Sequence, residues 1–143
     1  MSHLRPLQPP GWLPPKGYAN GIALSIEPGT QLIFTGGQVG WNDRQQFDSD
    51  DFIDQCRQTL QNIHAILTVA GAGPEHMCRM NWYVLDRNEY NQRLSELGTV
   101  YRDIMGKHFP AMACFEVSGL MEPRAKVEIE VTAAVPPEHT PKA

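Results

Sequence analysis

Two segments near the C-terminal end of the sequence carry charged or reactive side chains at every second position, as extended strands do. Successive side chains of a strand point to opposite faces. The segment at residues 126–131 therefore places its valines and isoleucine on one face and two carboxylates, Glu128 and Glu130, on the other. The segment at residues 109–117 alternates in the same way, with Met112, Cys114 and Glu116. A carboxylate face next to a core face is either solvated or lines a site. We predict that these two neighbouring segments partly line a site.

The same segments resemble a known family. The patterns F-P-A-x-x-C-x-E-V at residues 109–117 and K-V-E-I-E-x-x-A at residues 126–133 are similar to the C-terminal signature of the RidA/YjgF family, formerly labelled endoribonuclease L-PSP. Three upstream segments match family motifs in the same order, G-Y-A-N-G at 17–21, L-I-F-T-G-G-Q-V at 32–39 and Q-T-L-x-N-I at 58–63. The resemblance covers residues 17–135.

The resemblance implies roles for four residues. A family glutamate at the position of Glu128 holds the water that attacks the carbon of a C=N bond, so Glu128 is the predicted catalytic residue. Tyr18 would contact the substrate at the mouth of a cleft. Gly36 and Gly37 would offer backbone N–H groups, because glycine lets a ligand approach the backbone closely. Residue type alone favours a carboxylate paired across the sheet for Glu128, and the family match brings the catalytic role level with it. The alternative for Tyr18 is a half-buried aromatic side chain, and the alternative for the two glycines is a strand bulge.

Met112 is a departure from the family pattern. The imine deaminases of the family have an arginine there, which grips the substrate carboxylate with two hydrogen bonds, whereas methionine donates none. The departure predicts either a bulkier or less acidic substrate, or a site that binds without catalysis. Arg44, Arg79 or Arg124 could supply the charge from another direction. Cys114 is expected to line the cleft as a buried, inert thiol rather than as a nucleophile.

Bulk composition disfavours several classes of function. The chain has 143 residues, of which 41% are hydrophobic and 20% charged, as expected for one folded domain. A net charge of -4 without a Lys/Arg run disfavours nucleic-acid binding, and RNA cleavage is the least favoured function. The sequence has neither an apolar run of about 18 residues nor an apolar signal core, which predicts a cytoplasmic protein with no membrane contact. Three scattered cysteines predict reduced thiols, and we expect no metal and no organic cofactor.

The elements that would position these residues follow from periodicity. Strands are predicted at residues 21–27 and 31–39, joined by a Pro28-Gly29 turn, at 78–85, and in the two segments described first. One helix is predicted to follow the N-cap segment Asp48-Ser49-Asp50-Asp51 and to run to about residue 70, and a second from Asp86 to Gly106. Both have apolar side chains three or four residues apart. The order β-β-α-β-α-β-β predicts an α+β domain, with two helices on one face of a mixed sheet. This is similar to the trimeric chorismate-mutase-like fold of the family.

The chain divides into three predicted parts, a Pro-rich irregular arm at residues 1–16, a single domain at 17–135 and a flexible tail at 136–143. The sheet face without helices is neither fully polar nor fully apolar, which predicts burial against another subunit. The family forms homotrimers with small-molecule clefts between subunits, which implies the same assembly. We therefore predict an enamine or imine deaminase that releases a carbonyl compound and ammonia. The alternative is a binding or chaperone-like protein that keeps the cleft without the chemistry.

Overall fold

The fold combines one mixed sheet with helices packed on a single face. A computed structural model of the chain describes residues 3–137. Its elements are β1 (Leu4–Pro6), β2 (Ile22–Leu24), β3 (Gln31–Phe34), β4 (Gln38–Val39), α1 (Phe52–Val69), β5 (Met77–Val84), α2 (Arg87–Gln92), α3 (Leu94–Met105), β6 (Ala111–Glu116) and β7 (Val127–Val135). None of these helices combines the length and the apolar character needed to cross a membrane.

Strand order decides which side chains become neighbours. The main sheet has five strands in the order β3-β7-β5-β6, and β4 also pairs with β7. β7 runs antiparallel to β3, β4 and β5, whereas β5 and β6 are parallel. A parallel pair needs a long crossover connection, and α2 and α3 supply it. The predicted α+β class with a mixed sheet is confirmed, and β1 and β2 form a separate antiparallel pair.

The core lies between the sheet and the helices α1 and α3. Buried side chains recur every three or four residues along α1, at Cys56, Leu60, Ile63 and Leu67, which are all 0% exposed. This is the stripe of an amphipathic helix. It packs in one cluster with the inward side chains of β5 and β7. The opposite face of the sheet carries no helix within residues 3–137, and we call it the open face.

Helix ends follow the predicted caps with one correction. The Asp51 carboxylate accepts hydrogen bonds from the N–H groups of Ile53 and Asp54, both at 3.1 Å, and so caps α1. The predicted second helix is two helices, because Arg93 leaves helical geometry at φ -110° and ψ 22°. The Arg93 guanidinium lies 2.7 Å from Asp51 and 2.9 Å from Glu96, so ion pairs hold the break against the start of α1. The hydrogen bond from Arg93 lowers the pKa of Asp51.

The N-terminal arm is more regular than its prolines suggest. β1 pairs with β2 in register Leu4–Leu24, and Pro6 stands at the end of this edge strand, where its missing N–H is tolerated. The His3 ring nitrogen Nε2 lies 2.6 Å from the carbonyl oxygen of Ala134, which joins the arm to β7. The prediction of a wholly irregular arm was therefore wrong. Most of the predicted tail, residues 138–143, lies outside the described residues.

The predicted strand 31–39 is interrupted. Thr35 donates its N–H to the carbonyl of Val131 and accepts the Val131 N–H on its hydroxyl, both at 2.9 Å. The chain then leaves the ladder through Gly36 and Gly37 before β4 begins at Gln38. The Pro28-Gly29 turn is present, with Gly29 at a left-handed φ of 90°. The strand before this turn pairs with the arm, while the strand after it pairs with β7.

Candidate functional site

Glu128 lies directly against the glycines of the strand break. Val127 and Ile129 are fully buried on the helix side of β7, so Glu128 between them points to the open face. A Cβ atom added at Gly37 would be 2.7 Å from Glu128 Oε2, whereas one added at Gly36 would have nothing within 4 Å. Carbon and oxygen do not approach to 2.7 Å, so this carboxylate position requires a glycine at residue 37. The structure thus brings together three of the predicted site residues, Gly36, Gly37 and Glu128, which we call the glutamate group.

The two carboxylates of β7 differ in their surroundings. Glu130 Oε1 accepts hydrogen bonds from the Tyr83 hydroxyl at 2.8 Å and from Asn81 Nδ2 at 3.2 Å. The bond to Glu130 raises the pKa of Tyr83, whose ring stacks on Phe115 with 5.9 Å between centroids. Within residues 3–137, no hydrogen bond or ion pair holds the Glu128 carboxylate. Glu130 is therefore a structural partner, whereas Glu128 keeps its lone pairs available.

Met112 and Cys114 do not share a face with Glu128. In the parallel pairing of β6 with β5, Met112 is level with Met80 and Cys114 with Trp82, which are both buried on the helix side. The strand of Glu128 is not adjacent either, because β5 lies between β6 and β7. The expectation that the two segments lie side by side in the sheet was therefore wrong. Alternation fixes the faces within a strand, but only the long-range register relates one strand to the next.

Glu116, the third alternating residue of β6, also has a structural role. It stands level with Val84, and its Oε2 accepts the Arg87 N–H at 2.9 Å, at the first residue of α2. A carboxylate at a helix N-terminus satisfies an otherwise unpaired N–H group and stabilises the helix dipole.

Tyr18 lies at the same edge of the sheet as Met112. Ala19 donates its N–H to the carbonyl oxygen of Pro110 at 3.0 Å and forms a parallel β-bridge with Ala111, the first residue of β6. Tyr18 is 43% exposed beside it. Gly17 and Met112 line one common pocket. Tyr18, Met112 and Cys114 form a second group of predicted residues, the β6-edge group, which β5 separates from the glutamate group.

Cys114 is exposed at this edge, which corrects the expectation of a buried thiol. Partial burial of the sulfur raises its pKa, and a hydrogen bond with Tyr90 acts in the opposite direction. Burial raises the pKa of Tyr90 to about 12. A thiol with a raised pKa is protonated at neutral pH and is a weak nucleophile, so Cys114 is not suited to act as a nucleophile.

The three arginines considered as substitutes for a family arginine at Met112 lie elsewhere. Arg124 pairs with Asp50 at 2.8 Å and stacks over the Phe47 ring. Arg79 lies on the open face, level with Ala111 and not with Met112. Arg44 is exposed in the loop between β4 and α1. The sequence analysis did not consider another arginine, Arg102, which lines the same pocket as Met112. The available signal was Gly98, a glycine inside the predicted helix and four residues before Arg102.

The fold and site define a small α+β domain of the RidA/YjgF type. The strand break, its glycines and the facing glutamate all lie in the segments that resemble that family. The chain belongs to this family, since the model described as Endoribonuclease L-PSP matches residues 16–135.

Comparison with known proteins gives relatives of modest identity. The 2-iminobutanoate/2-iminopropanoate deaminase of Escherichia coli (strain K12) is 29% identical over 119 residues, which cover 81% of this chain and 85% of that protein. The crystal structure of the Rid-family protein YyfB from Yersinia pestis, described as a protein of unknown function, has a TM-score of 0.80 at 25% identity and covers 94% of this chain and 100% of that chain. The crystal structure of E. coli TdcF with bound serine has a TM-score of 0.63 at 27% identity, and the match covers 88% of this chain and 92% of that chain.

Proposed function

We propose that this protein hydrolyses the C=N bond of a reactive imine, or of its enamine tautomer, to a carbonyl compound and ammonia. The observation that carries the proposal is the Glu128 carboxylate, which lies against Gly37 without a hydrogen bond or ion pair in residues 3–137. A general base must be within reach of the proton it takes and must not be committed elsewhere. A relative's name as an iminobutanoate deaminase supports the same reaction.

Glu128 acts by carrying a proton twice. The carboxylate takes a proton from water while the water oxygen bonds to the imine carbon, and it returns that proton to the nitrogen. The product is a carbinolamine. Glu128 then takes the hydroxyl proton and delivers it to nitrogen as the C–N bond breaks and the C=O bond forms. One imine and one water give one carbonyl compound and one ammonia, and no redox step is involved.

The site is proposed to be shared between protomers of a homotrimer. Within one protomer the glutamate group and the β6-edge group lie at different edges of the sheet, so a cleft using both needs a second copy. The open face exposes Phe34 by 71% and Phe115 by 50%, and exposed apolar side chains of this size favour burial in an interface. The homotrimers implied by the family resemblance supply such an interface.

A binding protein without catalysis is the second candidate. The observation in its favour is Met112, which packs against the core and has no group to hold a substrate carboxylate. Such a protein would keep the cleft and bind the imine or its analogue without releasing ammonia. The experiment below separates the two functions, because only the enzyme makes the disappearance of the imine depend on Glu128.

The test compares two matched substitutions two residues apart on β7. Imines are generated in situ from amino acids with an amino-acid oxidase, and their disappearance is followed. Glu128→Gln keeps the shape and removes the proton acceptor, so turnover should fall by about 10²-fold or more, with an unchanged melting temperature. Glu130→Gln should leave turnover within about threefold, while the weaker bonds to Tyr83 and Asn81 cost about 1 kcal/mol of stability. Equal rates for wild type and Glu128→Gln would contradict the proposed role of Glu128.

A further inference from the structure

The β6 edge contains an aromatic pocket between α3, β5 and the start of β6. Its volume is about 350 Å³, at the lower end of the roughly 300–1,000 Å³ typical of small-molecule sites. Two aromatic pairs line it: Tyr101 stacks on Phe109 with 5.3 Å between centroids, and Trp82 meets Tyr90 edge-on at 6.5 Å. Met112 adds a polarizable apolar side chain to the same wall. Aromatic rings prefer such stacked and edge-on neighbours, so these walls favour a flat ring.

The mouth of the pocket is positively charged. Lys16 and Arg102 line the pocket and are both exposed, so their charges lie where it meets solvent. In the described part of the chain, neither side chain makes a hydrogen bond or an ion pair. Among residues 3–137, no aspartate or glutamate lines the pocket, although the chain as a whole has a net charge of -4. The local charge is therefore complementary to an anion.

Gly98 places one of these charges over the pocket. It lies inside α3, where glycine is less favourable than alanine, and it has no left-handed φ to require it. A Cβ atom at Gly98 would be 3.1 Å from Arg102 Nη1. The guanidinium therefore folds back along the helix into the space that a side chain would fill. The absence of a side chain at Gly98 thus leaves room for the Arg102 guanidinium beside the pocket.

We infer that this pocket binds the ring of an aromatic monocarboxylate, whose carboxylate pairs with Arg102 and Lys16 at the mouth. Met112 leaves the interior without a cation, so the apolar end of the ligand enters and the charged end stays outside. The pocket also indicates a substrate class for the proposed deaminase, namely the imines of aromatic amino acids. In that respect alone the inference rests on the proposed function.

Calorimetric titration of the full chain tests the inference without turnover. The probes are 3-phenylpropanoate, its uncharged isostere 3-phenylpropanamide, and propanoate, which has the charge without the ring. We expect 3-phenylpropanoate to bind once per chain, the amide to bind at least about tenfold more weakly, the scale of a charge-assisted hydrogen bond, and propanoate to show no binding. Equal affinity of acid and amide would overturn the assignment of the carboxylate.

Protein variants locate the binding. Arg102→Met should weaken 3-phenylpropanoate about tenfold and leave the amide unchanged, while Arg44→Met removes the same charge from a distant loop and should change neither. Gly98→Leu raises helix propensity and should abolish binding of both rings by occupying the mouth, with no loss of thermal stability. Unaltered binding in Gly98→Leu, or no binding by folded wild type, would overturn the inference. Hydrolysis of other imines but not of aromatic ones would contradict the substrate class, whereas hydrolysis of no imine would contradict the proposed function and leave the binding assignment standing.

Discussion

Replacing Gly37 by alanine tests whether the position of the Glu128 carboxylate matters for hydrolysis. The new Cβ would meet Oε2 at 2.7 Å, and ordinary van der Waals contact begins at 3.4 Å, so the oxygen must retreat by about 0.7 Å. A displacement of about 1 Å in a catalytic group can cost about 10²-fold in rate. We therefore expect Gly37→Ala to lower turnover of an in situ imine by about 10- to 100-fold.

Although Gly37→Ala should lower turnover, it should raise the free energy of unfolding. Gly37 does not have a left-handed φ, so alanine is compatible with its backbone and restricts the unfolded chain, worth about 0.4–1 kcal/mol. The contacted atoms are Oε2, Cδ and Cγ of the Glu128 side chain, which points to the open face, so that its displacement does not disturb the core. Gly119→Ala, at a loop glycine with nothing within 4 Å of its added Cβ, is the matched control and should leave turnover unchanged.

The double variant decides whether Gly37 acts through Glu128. If it does, Gly37→Ala should have no further effect on the rate in a Glu128→Gln background, because the displaced group is already inactive. Additive losses would show that Gly37 contributes through its own backbone. Full activity of Gly37→Ala, with the alanine confirmed in the folded protein, would refute the argument that this carboxylate position is catalytic.

Three further predictions concern stability, specificity and assembly. Asp51→Ala should lower the free energy of unfolding in urea by about 1–2 kcal/mol at pH 7. Because the folded pKa of Asp51 is lowered, this difference should be fully present above the unfolded pKa of about 3.9 and should shrink as the pH falls through the folded pKa. A difference that stays constant with pH would contradict the role of the Asp51 charge. Met112→Arg should increase hydrolysis of the alanine imine by about tenfold or more by restoring a carboxylate anchor, and no gain in an intact assembly would refute our interpretation of Met112. Light scattering should give three times the chain mass of 16.0 kDa, and Phe34→Glu should reduce it; a monomeric wild type would exclude the shared site.

Local elements could be predicted because their signals lie within a few residues. The Asp51 carboxylate marks the start of α1, and the spacing of Cys56, Leu60, Ile63 and Leu67 marks its buried face. The break in the second helix was missed, since Arg93 is a good helix former whose partner, Asp51, lies 42 residues away. The same limit applies to β1, which depends on a pairing partner beyond several prolines.

The sequence by itself determined the α+β class, the faces within each strand and the family, because all three are encoded in short periodic patterns and motifs. It also determined that Glu128 points away from the core side of β7. Only the tertiary structure decided that β5 separates β6 from β7, that Met112 and Cys114 lie on the helix side, and that Arg102 lines the pocket of Met112. Strand order and register are set by pairing between residues far apart in the chain, and a one-residue change of register would exchange the two faces of a strand.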